Sequence, residues 1–271
     1  MQKRALCAAL CLTVFMSLGS HAAAAESGVG TMVDGAILET EVITQVYNQT
    51  TYVSYWPVVQ AIYPDATATW EDDHAAVRAE GLSINIKPGA NYIEANGRYL
   101  YVPYGVQTEN QVVLVPATVL ARALGATAWW DNANNNLMFQ SGAGPIQSGD
   151  SFYDADTVYW LSHIINAEAG NQTLTGKIAV GNVVMNRVES PRFPNNVHDV
   201  IYQANQFTPV SNGSINKEPN AESVIAAKLC QDGANTAGAS LYFVNPRMSP
   251  NSWASRNRTY VATIGAHAFF A

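Results

Sequence analysis

The chain has 271 residues, 48% of them hydrophobic and 13% charged, which excludes a disordered polymer and leaves room for two domains with separate cores. A formal net charge of −7, from 14 Lys and Arg against 21 Asp and Glu, excludes the basic excess of a nucleic-acid binder. Cys230 is the single cysteine after residue 11, so no internal disulfide framework is expected.

The first 25 residues read as a secretory signal peptide: Lys3 and Arg4 lead, Ala5 to Leu18 are apolar, and Ala22 to Ala25 form a small-residue cleavage zone. The apolar run is short for a bilayer span, so an exported chain without a membrane span is expected. Residues 26–36, ESGVGTMVDGA, are polar and glycine-rich and read as a leader.

Residues 37–140 hold short runs rich in Val, Ile, Tyr and Thr, broken by turns. Asn96-Gly97 between Tyr92-Ile93 and Tyr99-Leu100 signals a hairpin. Val53 through Trp70 and Val113 through Trp130 look alike at an offset of sixty residues: Val53 aligns with Val113, Ala66-Thr67-Ala68 with Ala126-Thr127-Ala128, and Trp70-Glu71 with Trp130-Asp131. Each unit reads as strand, short helix and strand, an internal duplication. Trp56, Trp70, Trp129 and Trp130 are expected to fill the core rather than to form a sugar-stacking face. Residues 141–150, SGAGPIQSGD, read as the linker between the halves.

Residues 151–271 begin with two helical segments across Val158–Val188. Leu161, Ile164, Ile165 and Ala167 lay down an apolar stripe, and Glu168, three residues after Ile165, continues it. The next segment, with Ile178, Ala179, Val180, Val183, Val184 and Met185, is apolar almost all round and reads as a buried helix. A carboxylate facing such a helix is partly desolvated, which favours its protonated form and makes Glu168 a candidate general acid. Spacing alone leaves open a Glu on an exposed last turn. The remaining acids of this half (Asp154, Asp156, Glu189, Asp199, Glu218, Glu222, Asp232) sit in polar or loop contexts and read as solvated.

Two resemblances sharpen this reading. VLVPATVLARALGATAWWDNANNNLMF, residues 113–139, resembles the copper amine oxidase N-terminal-like domain. The resemblance implies a small α+β module of exported proteins that binds the cell wall, another envelope protein, or acts as a spacer. No copper site is expected, because His74 is the lone histidine of that half.

From about Asp156 to Phe269 the chain is similar to the cell wall hydrolase family of spore cortex-lytic enzymes. The landmarks are Ala167-Glu168-Ala169, Gly176 to Val180, Val183 to Val188, Pro191 to Pro194, Val200 to Gln203, Gln206-Phe207, Leu241 to Pro246, and Ile264-Gly265 with His267 and Phe269. The resemblance implies a mostly helical, lysozyme-like catalytic domain that cuts peptidoglycan glycan strands, with spore cortex and germination as the setting, and Glu168 as catalytic acid. It suggests lytic transglycosylation, in which the muramic acid 6-hydroxyl closes an anhydro ring. Where the family often reads E-A-R-G-E, this chain has Gln172 in place of the second glutamate, a turn position tolerant of an amide.

The expected architecture is therefore α+β, a duplicated module followed by a mostly helical catalytic domain. Glu168 is the catalytic residue; Tyr202, Gln206, Phe207, Thr208, Tyr242 and Asn245 are the substrate-binding candidates, as amide, hydroxyl and aromatic groups of the kind that hold sugars. Arg187 reads as structural. No metal or cofactor is expected, and the partner is peptidoglycan in the cell envelope or spore wall. The rival readings are a wall-binding protein with an inactive catalytic module, a cysteine peptidase using Cys230 and His267, and a zinc amidase or peptidase using His163, His198 and His267 with Asp199.

Overall fold

The computed structural model describes residues 30–271. The expected signal peptide lies outside the described residues. Among those described, no helix is long and apolar enough to cross a membrane.

The first module is built on the duplication. Strand Thr50–Ser54 runs into helix α1 (Tyr55–Ile62) and strand Thr67–Glu71; strand Val112–Pro116 runs into α2 (Ala117–Ala123) and strand Thr127–Asp131. The two leading strands pair antiparallel with each other, Val115 opposite Val53, which places both copies around one core. Leu120, Leu124, Val58, Ile84, Ile93 and Phe139 fill that core. Asn96-Gly97 turns the hairpin between Tyr92–Ala95 and Arg98–Tyr101 with φ of 50° and 75°. Both residues are in the left-handed region, as a two-residue turn that matches strand twist demands.

Two boundaries differ from expectation. The leader read over 26–36 is strand from Gly30 to Val33, paired in parallel with Asn136–Phe139 and antiparallel with Ala36–Ile37. Val33 is buried, and the Asp34 carboxylate accepts from Ser141 N and Oγ and Gln140 Nε2. The stretch pairs with a strand more than a hundred residues away, a partner that local composition does not show.

The segment 141–150 is fastened to the first module. Ile146 is buried, its carbonyl accepts from Asn96 Nδ2 at 2.9 Å, and Gly149 N donates to Asn96 O at 2.8 Å. Of the four tryptophans, Trp56 and Trp130 pack against the core as expected, but Trp70 and Trp129 are about half exposed on strands of different sheets.

The second module opens with the short α3 (Gly149–Phe152) and α4 (Ala155–Ala169), capped by the Asp154 side chain. Next come α5 (Leu174–Glu189), capped by Thr173, then α6 (Val197–Tyr202), α7 (Thr208–Asn212), and α8 (Ala221–Gln231), capped by Asn220. Each capping side chain takes up a backbone N–H that the first turn leaves unpaired. Helices α4, α5 and α8 bury Leu161, Ile165, Val180, Val184, Ala227 and Cys230 against one another. Gly181 is their close-approach point: a side chain there would meet Cys230 Sγ and Ile165.

After α9 (Trp253–Asn257) the chain completes a three-stranded antiparallel sheet with Tyr242–Val244 and Tyr260–Ile264 on either side of His267–Phe270. Phe269 enters the helical core from this sheet. The whole is α+β, a β-rich module followed by a helical one.

The modules meet over a buried charge. Asp232, just after α8, has 1% of its side chain exposed. Arg98 of the first module donates to it from Nε at 3.3 Å and also through Nη2; Arg122 bonds both its carboxylate and its carbonyl; the Tyr153 hydroxyl donates at 2.6 Å. Tyr153 in turn accepts from Tyr99 N at 2.8 Å. Asp232 is therefore not the solvated acid that its polar neighbours suggest, because its arginine partners come from more than a hundred residues upstream. Tyr92, Tyr99 and Tyr101 of the first module pack on the second module's core around this network.

Candidate active site

Glu168 stands at the last turn of α4. That turn is fixed from α8's side, where Asn220 Nδ2 donates to Gly170 O at 3.1 Å and Asn220 N to Asn166 Oδ1 at 3.2 Å. The Glu168 side chain is partly buried, and desolvation raises its pKa above the usual carboxylate value. No hydrogen bond or ion pair from the described residues offsets that effect.

The carboxylate opens into a cleft of about 370 Å³ lined by Arg187 of α5, Gln206 to Thr208 at the start of α7, Phe243 to Asn245, Met248, Ser249 and His267. Among the described residues Glu168 is the one carboxylate in that lining. Larger hollows exist elsewhere on the protein, but their acids are exposed (Asp150, Glu218) or ion-paired (Asp232), and an unpaired, desolvated carboxylate rather than size selects this one.

The structure places Gln206, Phe207, Thr208 and Asn245 in the same cleft as Glu168. Their parts differ. Phe207 is 5% exposed and forms floor rather than an open stacking face. Asn245 holds the following turn, its Oδ1 accepting from Arg247 N at 3.0 Å. Tyr202 and Tyr242 do not line the cleft. Tyr202 stacks on His198 at 4.6 Å and packs edge-on to Trp160. Tyr242 lies behind the wall, packed against Trp253 and Phe193.

The sequence reading missed Arg187 and His267 as cleft residues. Arg187 was read as structural, and it is so in part: Nε donates to Leu241 O at 2.8 Å. A charged side chain near the end of a largely buried helix was the available signal. Gln172 has a structural task beside the cleft: its Oε1 accepts from Ala266 N at 3.0 Å and ties the α4–α5 turn to the hairpin that carries His267. The amide uses both ends there, since its Nε2 also donates to Asn171 Oδ1 at 3.2 Å.

The rival sites are not assembled. Cys230 is buried between α5 and α8, its thiol pushed up to about 12 by desolvation, and it is outside the cleft. His163 Nδ1 lies 2.8 Å from Tyr159 O, His198 stacks on Tyr202, and His267 is in the Glu168 cleft. Among the described residues no group of three or more His, Cys, Asp or Glu converges to hold a metal ion.

Residues 171–270 match the family model described as Cell Wall Hydrolase, and residues 32–139 that described as Copper amine oxidase N-terminal domain. The second module is thus similar to the cell wall hydrolase family over residues 171–270. Glu168 lies just ahead of the span that the family model matches.

Its relatives include the spore cortex-lytic enzyme of Bacillus cereus, 31% identical over 43% of this chain and 45% of that protein. The spore cortex-lytic enzyme of Bacillus subtilis is 32% identical over 40% of this chain and 35% of that protein. The chain thus spans less than half the length of these curated relatives. Among solved structures, the catalytic domain of a germination-specific lytic transglycosylase, SleB, from Bacillus anthracis is 29% identical, covering 46% of this chain and all of that one, with a TM-score of 0.42. The SleB catalytic domain of Bacillus cereus is 30% identical over 48% of this chain and all of that one, with a TM-score of 0.41.

Proposed function

We propose that the protein cleaves the glycan strands of peptidoglycan as a lytic transglycosylase, with Glu168 as the single acid and base. The observation that carries the reading is a lone, desolvated carboxylate in a cleft whose walls offer amide, hydroxyl and aromatic groups. The names of the relatives support spore cortex as the substrate. The N-terminal sequence supports export to the envelope.

In this mechanism protonated Glu168 gives its proton to the glycosidic oxygen as the bond to the muramic acid C1 breaks. The resulting carboxylate takes the proton of that sugar's 6-hydroxyl as its oxygen closes on C1. Glu168 ends protonated, the product carries a 1,6-anhydro ring, and no water is consumed. Ordinary glycosidases place two carboxylates about the scissile bond. This cleft has one, and the internal hydroxyl replaces the second group's water.

Mass spectrometry of a digest tests the chemistry. New muramic ends are expected to be one water lighter than reducing ends, and products bearing reducing ends throughout would sink the proposal. Digesting cortex and vegetative peptidoglycan side by side assigns the preferred wall.

A pH profile is a second test. Glu168 must start protonated, so kcat/KM falls as pH rises through its pKa; burial raises that value, and the basic limb is expected above the ordinary glutamate value of 4.5. A limb at or below that value would contradict a desolvated acid.

The first module's ligand is proposed to be the wall itself, with the exposed Trp70 and Trp129 as candidate sugar-stacking contacts.

A further inference from the structure

Two polar side chains in the Glu168 cleft have unused hydrogen-bonding capacity. Arg187 is 5% exposed, and His267 is 7% exposed. Arg187 Nη1 and His267 Nδ1 are sealed from solvent without a hydrogen-bond partner among the described residues, although both residues line the cleft. Buried polar groups are ordinarily paired, so two such atoms at one cleft point to a ligand that completes them.

The guanidinium is held in place by aromatic rings. Its Cζ lies 4.9 Å from the Phe193 ring centre, 5.3 Å from Phe207 and 5.6 Å from Tyr242, and Nε is anchored on Leu241 O. No carboxylate pairs with it among the described residues. Burial brings its pKa down to about 10, so the charge persists at neutral pH. His267 packs edge-on to Phe243 at 5.1 Å, and burial lowers its pKa, keeping the ring neutral there.

A fixed cation would oppose the positive charge that develops at C1 during glycosidic cleavage, unless its field is spent on another group of the substrate. On a wall glycan the strong acceptors are the acetamido carbonyl, common to both sugars, and the lactyl arm of muramic acid, which ends in a carboxylate or in the amide carbonyl of a stem peptide. A planar, always-charged fork suits the carboxyl-derived group best.

We propose that Arg187, with His267 beside it, binds the carboxyl-derived oxygen of a muramic acid lactyl arm and so selects which glycosidic bond is presented to Glu168. This rests on the reading of the cleft as a glycan site. Arg187 is here a substrate-binding residue, and takes no proton in the reaction.

The test measures binding by calorimetry in a Glu168→Gln background, where nothing turns over. The probes are soluble peptidoglycan oligomers with free lactyl carboxylates, the same with stem peptides, and chitin oligomers, which lack lactyl arms. Glu168→Gln is expected to bind lactyl-bearing oligomers at least about tenfold more tightly than chitin oligomers, since one charge-assisted bidentate contact is of that order. Adding Arg187→Gln should remove the preference, and Arg187→Lys should restore part of it. The two lactyl-bearing probes separate a charge-reading site, which favours the free acid, from a carbonyl-reading one, which takes both alike. Equal affinity of Glu168→Gln for lactyl-bearing and chitin oligomers would overturn the proposal without any further variant. An equal loss toward both classes in a folded Arg187→Gln protein would overturn it too. Should Glu168→Gln itself still cleave, the catalytic reading fails while the binding pattern stands or falls separately.

Discussion

Glutamine in place of Glu168 is expected to lower glycan cleavage by about 10²–10⁴-fold, the usual contribution of a positioned acid and base, and by more if the uncatalysed step is immeasurable. Release of soluble muropeptides from purified sacculi measures it; activity within a few-fold of the parent would remove Glu168 from the mechanism. Stability should move the other way. Burial raises the pKa of Glu168, so its stabilising share is complete below the unfolded value near 4.5 and is lost as pH rises through the folded one. At neutral pH the parent bears the penalty of a desolvated charge that the amide does not. Melting temperatures compared at pH 4 and pH 7 are expected to show the variant gaining on the parent as pH rises. A catalytic group that weakens the fold it sits in is a signature of function rather than of packing.

Replacing Asp232 with alanine is expected to destabilise the protein by about 3–5 kcal/mol. Removing one partner of a buried ion pair leaves the other uncompensated, and Arg98 is 6% exposed. Arg122, with 45% of its side chain exposed, can turn to water and contributes less. Denaturant unfolding measures the loss, and a change under about 1 kcal/mol would show that the network is dispensable. Calorimetry is expected to resolve separate transitions for the two modules in the variant, because Asp232 touches Arg98, Arg122 and Tyr153 at once.

Features written in nearby residues were legible before any coordinates. Asn96-Gly97 announces its hairpin because a two-residue turn needs those backbone angles at those positions. The duplicated units are visible because each is a contiguous strand, helix and strand. Glu168 could be singled out because a polar residue interrupts an apolar stripe, and a stripe is a local pattern.

What stayed hidden depends on partners distant in sequence. Nothing within 26–36 shows that Asn136–Phe139 will pair with Gly30–Val33, and nothing around Asp232 shows Arg98. The cleft is the clearest case. Arg187 and His267 come to the same hollow from a helix and from the last strand, eighty residues apart, and only the fold makes them neighbours. Tyr202 and Tyr242 failed as cleft residues for the converse reason: each has sugar-binding chemistry, but its ring is spent on Trp160 and His198, or on Trp253 and Phe193.

The anchoring of Asp232 bears on how this protein can be dissected. A fragment starting at residue 149 would keep the acid but shed Arg98 and Arg122, and the tyrosines at 92, 99 and 101 would no longer cover the neighbouring helices. Such a truncation is expected to be less stable than the intact pair, so its poor behaviour would not by itself report on catalysis. Trimming experiments on this chain need an Asp232 replacement built in from the start, or the intact pair of modules.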